Sequence, residues 1–570
     1  MRRLVYAIVV VFVVAGTSGT AVGLSVQAPA EGVSAPADDP IERSGGAGDA
    51  VGPTEAPPDP DEDVIGWEDG YWHNESIDVD RSDGLNDSEL HAVVSRAMAR
   101  VESVRQLEFE QRVPVEVISR EEFAESNRNR SDPSAANRLH QNAKFEATFL
   151  VGEGTDAISV QQSSSSASVL GYYSPTEERI VIVSENTTAP KMNEITLSQE
   201  LFHALQDQHF NLSAYNQTTR ELHNAKDGII EGDGNYVDYL YEQRCNGEWS
   251  CLMPQSSEGG GGDVHAGYLV TQFVPYSEGP ELVREVHQRG GWEAVNEMYD
   301  DPPESTEQII HHEKYGTESP VDVSIDHSPS GDWQVLDLEG GVNYAQFGEG
   351  GIYAMLWYAS YEASVEAGSA KTVAVPYTHL FQYKEGSEEL RDIGPYNYSH
   401  PASDGWAGDK LVPYVSGAPD EDPGTGYVWK IEWDTDGDAR EFADNYRKVL
   451  EYHGAEQVED RRNTWRIPEG NEFSDAFYVS VEGSTVVIVN APSVDELSNV
   501  RAGAAPETSS TPTDSPADTP TGESPETTSP GSTDGPDEET ATTTAASPGF
   551  GLVAALVALL SVVALTRRRH

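Results

Sequence analysis

Three side chains between residues 199 and 203 have the types and spacing of a metal site on a helix. Gln199, Glu200 and His203 lie within residues 195–210, which read ITLSQELFHALQDQHF. Residues four apart project from the same face of a helix, where two histidines can hold a zinc ion. A glutamate that follows the first histidine can polarise a zinc-bound water. Because glutamine stands at the first of the two positions, this segment offers an amide, a carboxylate and an imidazole.

A second carboxylate that could join this site is Glu231, in the downstream segment GIIEGDGNY of residues 228–236. With Glu231 as a further ligand, the donor set would be Gln199, His203 and Glu231, with Glu200 as the catalytic carboxylate. The leucines and alanine of the first segment also fit a simpler interpretation, in which they form a stripe facing the core and the polar residues are caps or solvated.

Several blocks between residues 110 and 500 resemble, in the same order, those of a group of bacterial and archaeal zincin-like secreted proteins. They are GYYSPTEERI at 171–180, ALQDQHF at 204–210 ending the Gln199 segment, the Glu231 segment, PESTEQIIHHEKY at 303–315, GEGGI at 348–352 and SDGWAGDK at 403–410. The resemblance implies a metallopeptidase-like fold of the gluzincin type, in which Glu231 occupies the position of the third zinc ligand. Most of these proteins have no assigned substrate.

Gln199 is the point where this chain departs from the zinc-binding pattern. A neutral amide oxygen replaces a ligand that zinc prefers as imidazole, thiolate or carboxylate, so we expect weak zinc binding or none, and no other cofactor. We therefore expect a non-catalytic protein with a binding or envelope role, whose protein or peptide partner the sequence does not name. The alternatives are an active gluzincin-type surface metallopeptidase and a purely structural envelope (S-layer) component.

Other residues could replace the missing ligand only through the tertiary fold. His209 lies six residues after His203, about 240° around the helix, and should point away. The remaining candidates are His223, Asp233, His311 and His312. Each is more typical of a surface or structural polar residue, and His311 is favoured among them because it falls within one of the family-like blocks.

The two ends of the chain predict export and anchoring. Residues 1–26 combine a basic start with an apolar run and small residues, as in a signal peptide. At the other end Pro548, Gly549 and Phe550 precede an apolar run and a terminal arginine cluster, so residues 548–570 could form a transmembrane segment with the body outside the cell. This end resembles the Pro-Gly-Phe sorting tail of haloarchaeal surface proteins, which implies tail removal and lipid attachment by an archaeosortase. An uncleaved helical anchor is the alternative.

The composition of the rest sets the domain boundaries. Residues 27–63 and 503–547 are poor in large apolar residues, which predicts a disordered acidic linker and a Thr/Ser/Pro-rich acidic stalk. The extracellular body would then span 64–502, with a subdivision near 330–420.

The charge of the chain indicates a halophilic setting. Acidic residues number 97 against 36 basic ones, for a net charge of -61. Such a chain repels itself in dilute buffer, whereas molar salt shortens the screening length to about 3 Å. No basic patch with interleaved aromatic residues occurs, so we expect no nucleic-acid partner.

Two kinds of covalent modification are expected for an exported chain. Cys245 and Cys251 are the chain's two cysteines, which favours a local disulfide. The Asn-x-Ser/Thr triplets that could make this a glycoprotein begin at Asn74, Asn86, Asn129, Asn186, Asn211, Asn216 and Asn397.

The pattern of apolar residues predicts the elements that position these groups. Periodicity indicates helices at 86–107, 193–209, 349–367, 438–452 and 493–501, and strands at 113–118, 145–151, 179–183, 428–433, 477–481 and 485–489. The fold class is α+β, with a zincin-like metallopeptidase-type core and an additional C-terminal α+β unit.

Overall fold

The computed structural model describes residues 57–508 except 81, 129–132, 167–170, 185, 189, 191–192, 253–263, 339–340 and 422. The signal peptide, most of both low-complexity segments and the Pro-Gly-Phe tail therefore lie outside the described residues. The described part of the predicted stalk, residues 503–508, contacts the body, since Thr508 N donates to Asp460 O at 3.0 Å.

The fold is α+β, as predicted. The described helices are α1 (Asp87–Arg105), α2 (Arg120–Arg128), α3 (Ala135–Ala147), α4 (Ala157–Ser166), α5 (Glu194–Phe210), α6 (Arg220–Cys245), α7 (Ala266–Glu297), α8 (Thr306–Ile310), α9 (Gly348–Ala367), α10 (Asp436–Tyr452) and α11 (Val494–Val500). The described strands are β1 (Trp67–Glu68), β2 (Tyr71–Trp72), β3 (Val115–Ser119), β4 (Gly171–Ser174), β5 (Arg179–Ser184), β6 (Trp333–Val335), β7 (Trp406–Ser416), β8 (Gly424–Trp433), β9 (Glu456–Gln457), β10 (Thr464–Arg466), β11 (Ala476–Glu482) and β12 (Thr485–Ala491).

Two larger sheets organise the body. In the N-terminal part β5 pairs with β3 in parallel and with β4 in antiparallel orientation. In the C-terminal part an antiparallel sheet of seven strands runs in the order β6-β7-β8-β12-β11-β10-β9. Alternate side chains of β8 face opposite sides of this sheet, so Trp429 packs in the cluster that contains Phe442 of α10, and Val428 packs with Leu497 of α11.

The helices begin where the sequence supplies caps. Asn86 accepts the backbone N–H groups of Ser88 and Glu89, and the Glu89 carboxylate accepts the backbone N–H of Asn86, which forms a capping box at the start of α1. Asn193 likewise accepts Ile195 N at the start of α5. These local signals explain why both predicted helices are confirmed to within a few residues.

One predicted strand is wrong. Residues 145–151 form the last turn of α3 and the turn that follows, in which Phe149 has a φ of 53°. Phe145, Leu150 and Val151 are buried in a cluster with Tyr268 of α7, and Phe149 is buried in the largest cluster, so the run satisfies the same hydrophobic pattern without joining a sheet. The other predicted strands are confirmed.

The largest apolar cluster contains residues from both sides of the subdivision that the sequence suggests near 330–420. It joins Ile229 and Ile230 of α6, Leu269 of α7, Trp357 of α9 and Trp429 of β8. A second cluster packs α1 and α5 against the N-terminal sheet. The candidate site lies where α5, α6 and α7 meet.

Candidate functional site

The candidate site begins on α5, which presents Gln199 and His203 four residues apart with Glu200 beside them. All three side chains are buried, with exposures of 0%, 1% and 0%. The adjacent leucines at 197, 201 and 205 pack into the apolar cluster beneath the N-terminal sheet. The leucines therefore build core, as the simpler interpretation expects, but the polar residues are buried and not solvated; the metal site stays a prediction.

Helix α6 brings Glu231 to α5, and glycines permit the close packing. A Cβ at Gly234 would lie 3.4 Å from Cε1 of His203, so this position leaves room for the imidazole. On the other side of α6, a Cβ at Gly232 would lie 2.7 Å from the backbone of Gly279 in α7, closer than real contacts allow. The small residues thus fix how deeply α6 sits between its two neighbours.

His203 and Glu231 meet in the interior. Nε2 of His203 lies 3.5 Å from Oε2 of Glu231, and both side chains have no exposure to solvent. The distance exceeds the usual length of a hydrogen bond, but it is short enough for an ion pair when the ring is protonated. The convergence of these two side chains is the geometry on which the predicted metal site depends.

Several polar atoms around this point have no hydrogen-bonding partner among the described residues. They are Nε2 and Oε1 of Gln199, Oε1 of Glu200, Nε2 of His203, both carboxylate oxygens of Glu231 and Oδ1 of Asp227. Buried polar groups in folded proteins are almost always satisfied, so a concentration of unsatisfied ones points to a polar guest such as water or an ion. The donor set is an imidazole, carboxylates and an amide.

Glu200 is held by the edge of the N-terminal sheet. Its Oε2 accepts the backbone N–H of Tyr173 in β4 at 2.8 Å. Burial raises the pKa of Glu200 to about 7, and the His203 ring opposes that rise. Two smaller effects act in opposite directions: the charge of Glu231 raises this pKa, and the hydrogen bond from Tyr173 lowers it. Burial lowers the pKa of His203, but the charge and hydrogen bond of Glu231, together with Glu200 and Gln206, outweigh burial and raise this pKa to about 9. The site therefore combines groups that titrate near or above neutrality.

A chain of hydrogen bonds fixes the orientation of His203. Gln206 Nε2 donates to the carbonyl of Ile230 at 2.9 Å and to Oη of Tyr299 at 2.6 Å, so its Oε1 must face the ring. That oxygen lies 2.7 Å from Nδ1 of His203 and accepts its proton. The chain ends at Asp233, which accepts the Tyr299 hydroxyl at 2.8 Å. Nδ1 is thereby committed, and Nε2 is the atom turned toward Glu231.

Sequence reasoning missed three residues near the site. Gln206 could have been found from its spacing, since residues three apart are neighbours on a helix. Asp227 lies one turn before Glu231 on α6, and burial with the nearby Glu231 charge raises its pKa. Tyr276, on α7, is half-buried beside Glu231, and no sequence signal connects it with the earlier helices.

The substitute ligands weighed from the sequence have other partners. His209 lies 2.8 Å from the carbonyl of Glu108, away from the site, and His223 pairs with Asp227 at 3.2 Å. Asp233 forms a buried ion pair with Arg105 at 3.0 Å. The last two also lie elsewhere: His311 contacts Glu349 at 3.0 Å and His312 contacts Glu285 at 3.3 Å.

The predicted disulfide is confirmed and closes the end of α6, where Cys245 and Cys251 have Cα atoms 5.5 Å apart. Glycosylation stays a prediction. Asn86, Asn186, Asn211 and Asn216 are exposed, Asn74 and Asn397 are half-buried, and Asn129 lies outside the described residues.

Comparison with known families gives two matches. A domain of unknown function, DUF8575, matches residues 334–501, which hold the seven-stranded sheet, and the PGF-CTERM motif matches residues 547–569. No curated protein and no solved structure matches the chain. In the described part of the chain, no helix is both long and apolar enough to span a bilayer. The PGF-CTERM motif marks the chain as a haloarchaeal surface protein of the archaeosortase-processed kind, anchored at the membrane by its C-terminal tail with its body outside the cell.

Proposed function

We propose that this surface protein is a non-catalytic relative of zinc metallopeptidases, in which a zincin-like core serves a binding or envelope role. Neither family match covers residues 199–231, so the proposal rests on the geometry of that region. The arrangement that supports it is a small mixed sheet followed by α5 and α6, with His203 and Glu231 facing each other between the helices.

The single observation that carries the proposal is the state of Gln199. It occupies the position where a zinc site of this kind needs an imidazole, it is fully buried, and neither polar atom of its side chain has a partner. An amide oxygen is neutral and is not among the ligands that zinc prefers. The donors that remain, His203 and Glu231, would hold zinc weakly.

Access to the site supports the same conclusion. Gln199, Glu200, His203 and Glu231 are each exposed by 1% or less, so a polypeptide substrate could reach none of them without a rearrangement of the body. Oε2 of Glu200 is bonded to the β4 backbone, which leaves only Oε1 for the water that a catalytic carboxylate would activate. The buried polar atoms fit a water cluster or a weakly held cation better than a peptide bond.

The test uses the full chain purified in molar KCl with detergent. We expect the zinc content measured by elemental analysis to be the same in Glu231→Gln as in wild type, and no chelator-sensitive cleavage of denatured protein or mixed peptides. The matched control is Glu200→Gln, which removes the catalytic carboxylate but preserves its shape. Zinc that is lost in Glu231→Gln, or cleavage that both a chelator and Glu200→Gln abolish, would contradict the proposal.

An active metallopeptidase is the second candidate, and the raised pKa of Glu200, at about 7, favours it because a general base works best near the operating pH. The same assay separates the two. A purely structural envelope component is the third candidate, favoured by the membrane anchoring of the body. It predicts that Glu200, His203 and Glu231 can be replaced together without any change in the growth or shape of the cells.

A further inference from the structure

A second cluster of metal-ligating side chains lies outside the site described above. His311 follows α8, Glu349 lies in the first turn of α9, and Asp404 lies in the turn before β7. Each falls in a different one of the blocks at 303–315, 348–352 and 403–410 that the sequence analysis singled out. One potential ligand atom from each residue lies within 4.8 Å of the other two.

The distances place the imidazole between the two carboxylates. Nε2 of His311 lies 3.0 Å from Oε1 of Glu349 and 3.6 Å from Oδ1 of Asp404. Glu349 has no exposure to solvent, and its Oε2 has no hydrogen-bonding partner. A fully buried, ionised carboxylate beside a second carboxylate is costly, and either a proton or a bound cation can compensate that cost. Among the described residues, no lysine or arginine forms an ion pair with Glu349 or Asp404.

Backbone hydrogen bonds fix the positions of Glu349 and Asp404. Asp409 accepts the backbone N–H groups of Phe347 at 3.0 Å and Gly348 at 3.0 Å, which fixes the start of α9 and hence Glu349. Asp404 is fixed by its own turn, in which its N–H donates to the carbonyl of His400 at 2.9 Å. Three segments far apart in sequence therefore converge with little freedom to relax the repulsion between the carboxylates.

A path from solvent reaches the cluster through Asp404. The side chain of Asp404 is 36% exposed and that of His311 is 17% exposed, whereas Glu349 lies beneath them. A cation held by one nitrogen and two carboxylate oxygens would thus keep an outward position open for water. Imidazole with carboxylates suits a first-row transition ion such as Zn²⁺, whereas Ca²⁺ prefers a larger set of oxygens.

A second cluster of three carboxylates, near the end of α8, is neutralised by a lysine. Glu307, Glu318 and Asp434 also converge, but the ammonium of Lys314 stands among them at 2.7, 3.1 and 2.8 Å. That group needs no ion because a side chain supplies the positive charge. At Glu349 and Asp404 the basic group is the imidazole of His311, which in its neutral form is a metal ligand.

We propose that His311, Glu349 and Asp404 form a binding site for a divalent transition-metal ion, with Zn²⁺ as the probe that tests it, independent of the site at His203. The bound ion would join the end of α8, the start of α9 and the turn before β7. It would therefore stabilise the body against unfolding.

The experiment measures Zn²⁺ content and the Zn²⁺-dependent rise in the unfolding midpoint of the full chain, in molar KCl with detergent. Asp404→Asn is the main variant, because its partly exposed side chain can change without disturbing the core. Loss of a group that only hydrogen-bonds to a metal ligand weakens metal binding by about 10- to 100-fold. Because Asp404 would be a ligand itself, we expect Asp404→Asn to weaken Zn²⁺ binding by more than that. His311→Ala should do the same, and a weak absorption from bound Co²⁺ in wild type should disappear in both variants.

Two controls make the result specific. Glu318→Gln, in the cluster filled by Lys314, should retain both the Zn²⁺ content and the rise in midpoint, and so should His209→Gln, at an exposed histidine outside both sites. Equal Zn²⁺ binding by wild type and Asp404→Asn would overturn the proposal, as would a wild-type chain that takes up no Zn²⁺. Binding of Ca²⁺ as tight as that of Zn²⁺ would overturn the assignment to a transition-metal ion.

Discussion

Nδ1 of His203 lies 2.7 Å from Oε1 of Gln206, and this contact decides which nitrogen of the ring faces Glu231. Gln206 has both of its amide hydrogens committed, to the carbonyl of Ile230 and to the hydroxyl of Tyr299. Its amide therefore cannot turn over without breaking two buried bonds. A glutamine three residues after the histidine thus does what a carboxylate or carbonyl usually does for a metal-binding imidazole.

Gln206→Leu should lower the free energy of unfolding by at least about 2 kcal/mol, because it leaves buried polar groups of Ile230 and His203 unpaired. Chemical denaturation in molar KCl measures the change. Gln208→Leu, two residues along the same helix, is the control. The partners of Gln208 are exposed and water can replace it, so we expect a loss below about 1 kcal/mol. Equal losses in the two variants would contradict the role assigned to Gln206.

Gln199→His should restore a complete zinc ligand set if α5 and α6 are placed as in a metallopeptidase. The new imidazole would share one helix face with His203, opposite Glu231, and imidazole binds zinc far better than an amide. We expect tight zinc uptake at a ratio near one per chain above that of wild type, measured by titration with a zinc indicator. Gln208→His places the same side chain elsewhere on α5 and should add no zinc. An unchanged zinc content in Gln199→His would show that the three positions do not share a site.

The candidate site was predictable from the sequence only where its signals are local. Helix α5 was predicted because apolar residues recur at helical spacing, and Gln199, Glu200 and His203 share that helix. The proximity of Glu231 was an expectation drawn from the resemblance, and the structure brings that side chain to His203. Tyr276 was missed because only the packing of α7 against α6 brings it there.

The run at 145–151 shows the limit of pattern reasoning in the fold. The spacing of its apolar residues fits a buried strand and the end of a buried helix equally well. Ser134, which caps α3 by accepting Asn137 N, lies eleven residues upstream and sets the helix that Phe145 then completes. The cluster of His311, Glu349 and Asp404 was equally beyond reach, since its members lie on three separate segments and nothing but tertiary packing joins them.

Glu194→Gln should destabilise the body by about 3–5 kcal/mol, since it leaves two buried arginines without a counter-charge. Glu194 accepts from Arg96 at 2.9 Å and also pairs with Arg100, and neither arginine is more than 1% exposed. Arg440→Gln, which breaks an exposed pair with Asp436 on α10, should cost less than about 1 kcal/mol. Urea titrations of the three proteins at one salt concentration provide the comparison.

The lowered pKa of Glu194 predicts how the free energy of unfolding changes with pH. Burial would raise the pKa of Glu194, but the charges of Arg96 and Arg100 outweigh it and lower the pKa below its usual value. A carboxyl whose pKa is lower in the folded chain stabilises the fold at neutral pH and loses that contribution as pH falls through the lowered value. The stability difference between wild type and Glu194→Gln should therefore shrink on acidification. A difference that stays constant down to acid pH would contradict the assignment.

His453→Phe should make the body less sensitive to mild acid. The His453 ring stacks on Phe149 with centroids 4.9 Å apart and meets the edge of Phe473 at 4.7 Å, and burial lowers its pKa from 6.5 to about 4. Because the folded state favours the neutral ring, its contribution is complete above pH 6.5 and is lost as pH falls toward 4. The full loss corresponds to about 3 kcal/mol.

Unfolding free energies measured between pH 7 and pH 4, at constant salt, should therefore fall less steeply for His453→Phe than for wild type. Phenylalanine keeps the stacking surface, so the two proteins should differ little at pH 7. His209→Gln changes an exposed ring and should follow the wild-type curve within about 0.5 kcal/mol. Parallel curves for wild type and His453→Phe would mean that the ring takes up a proton without cost, and that the aromatic pocket around Phe149 is open to water.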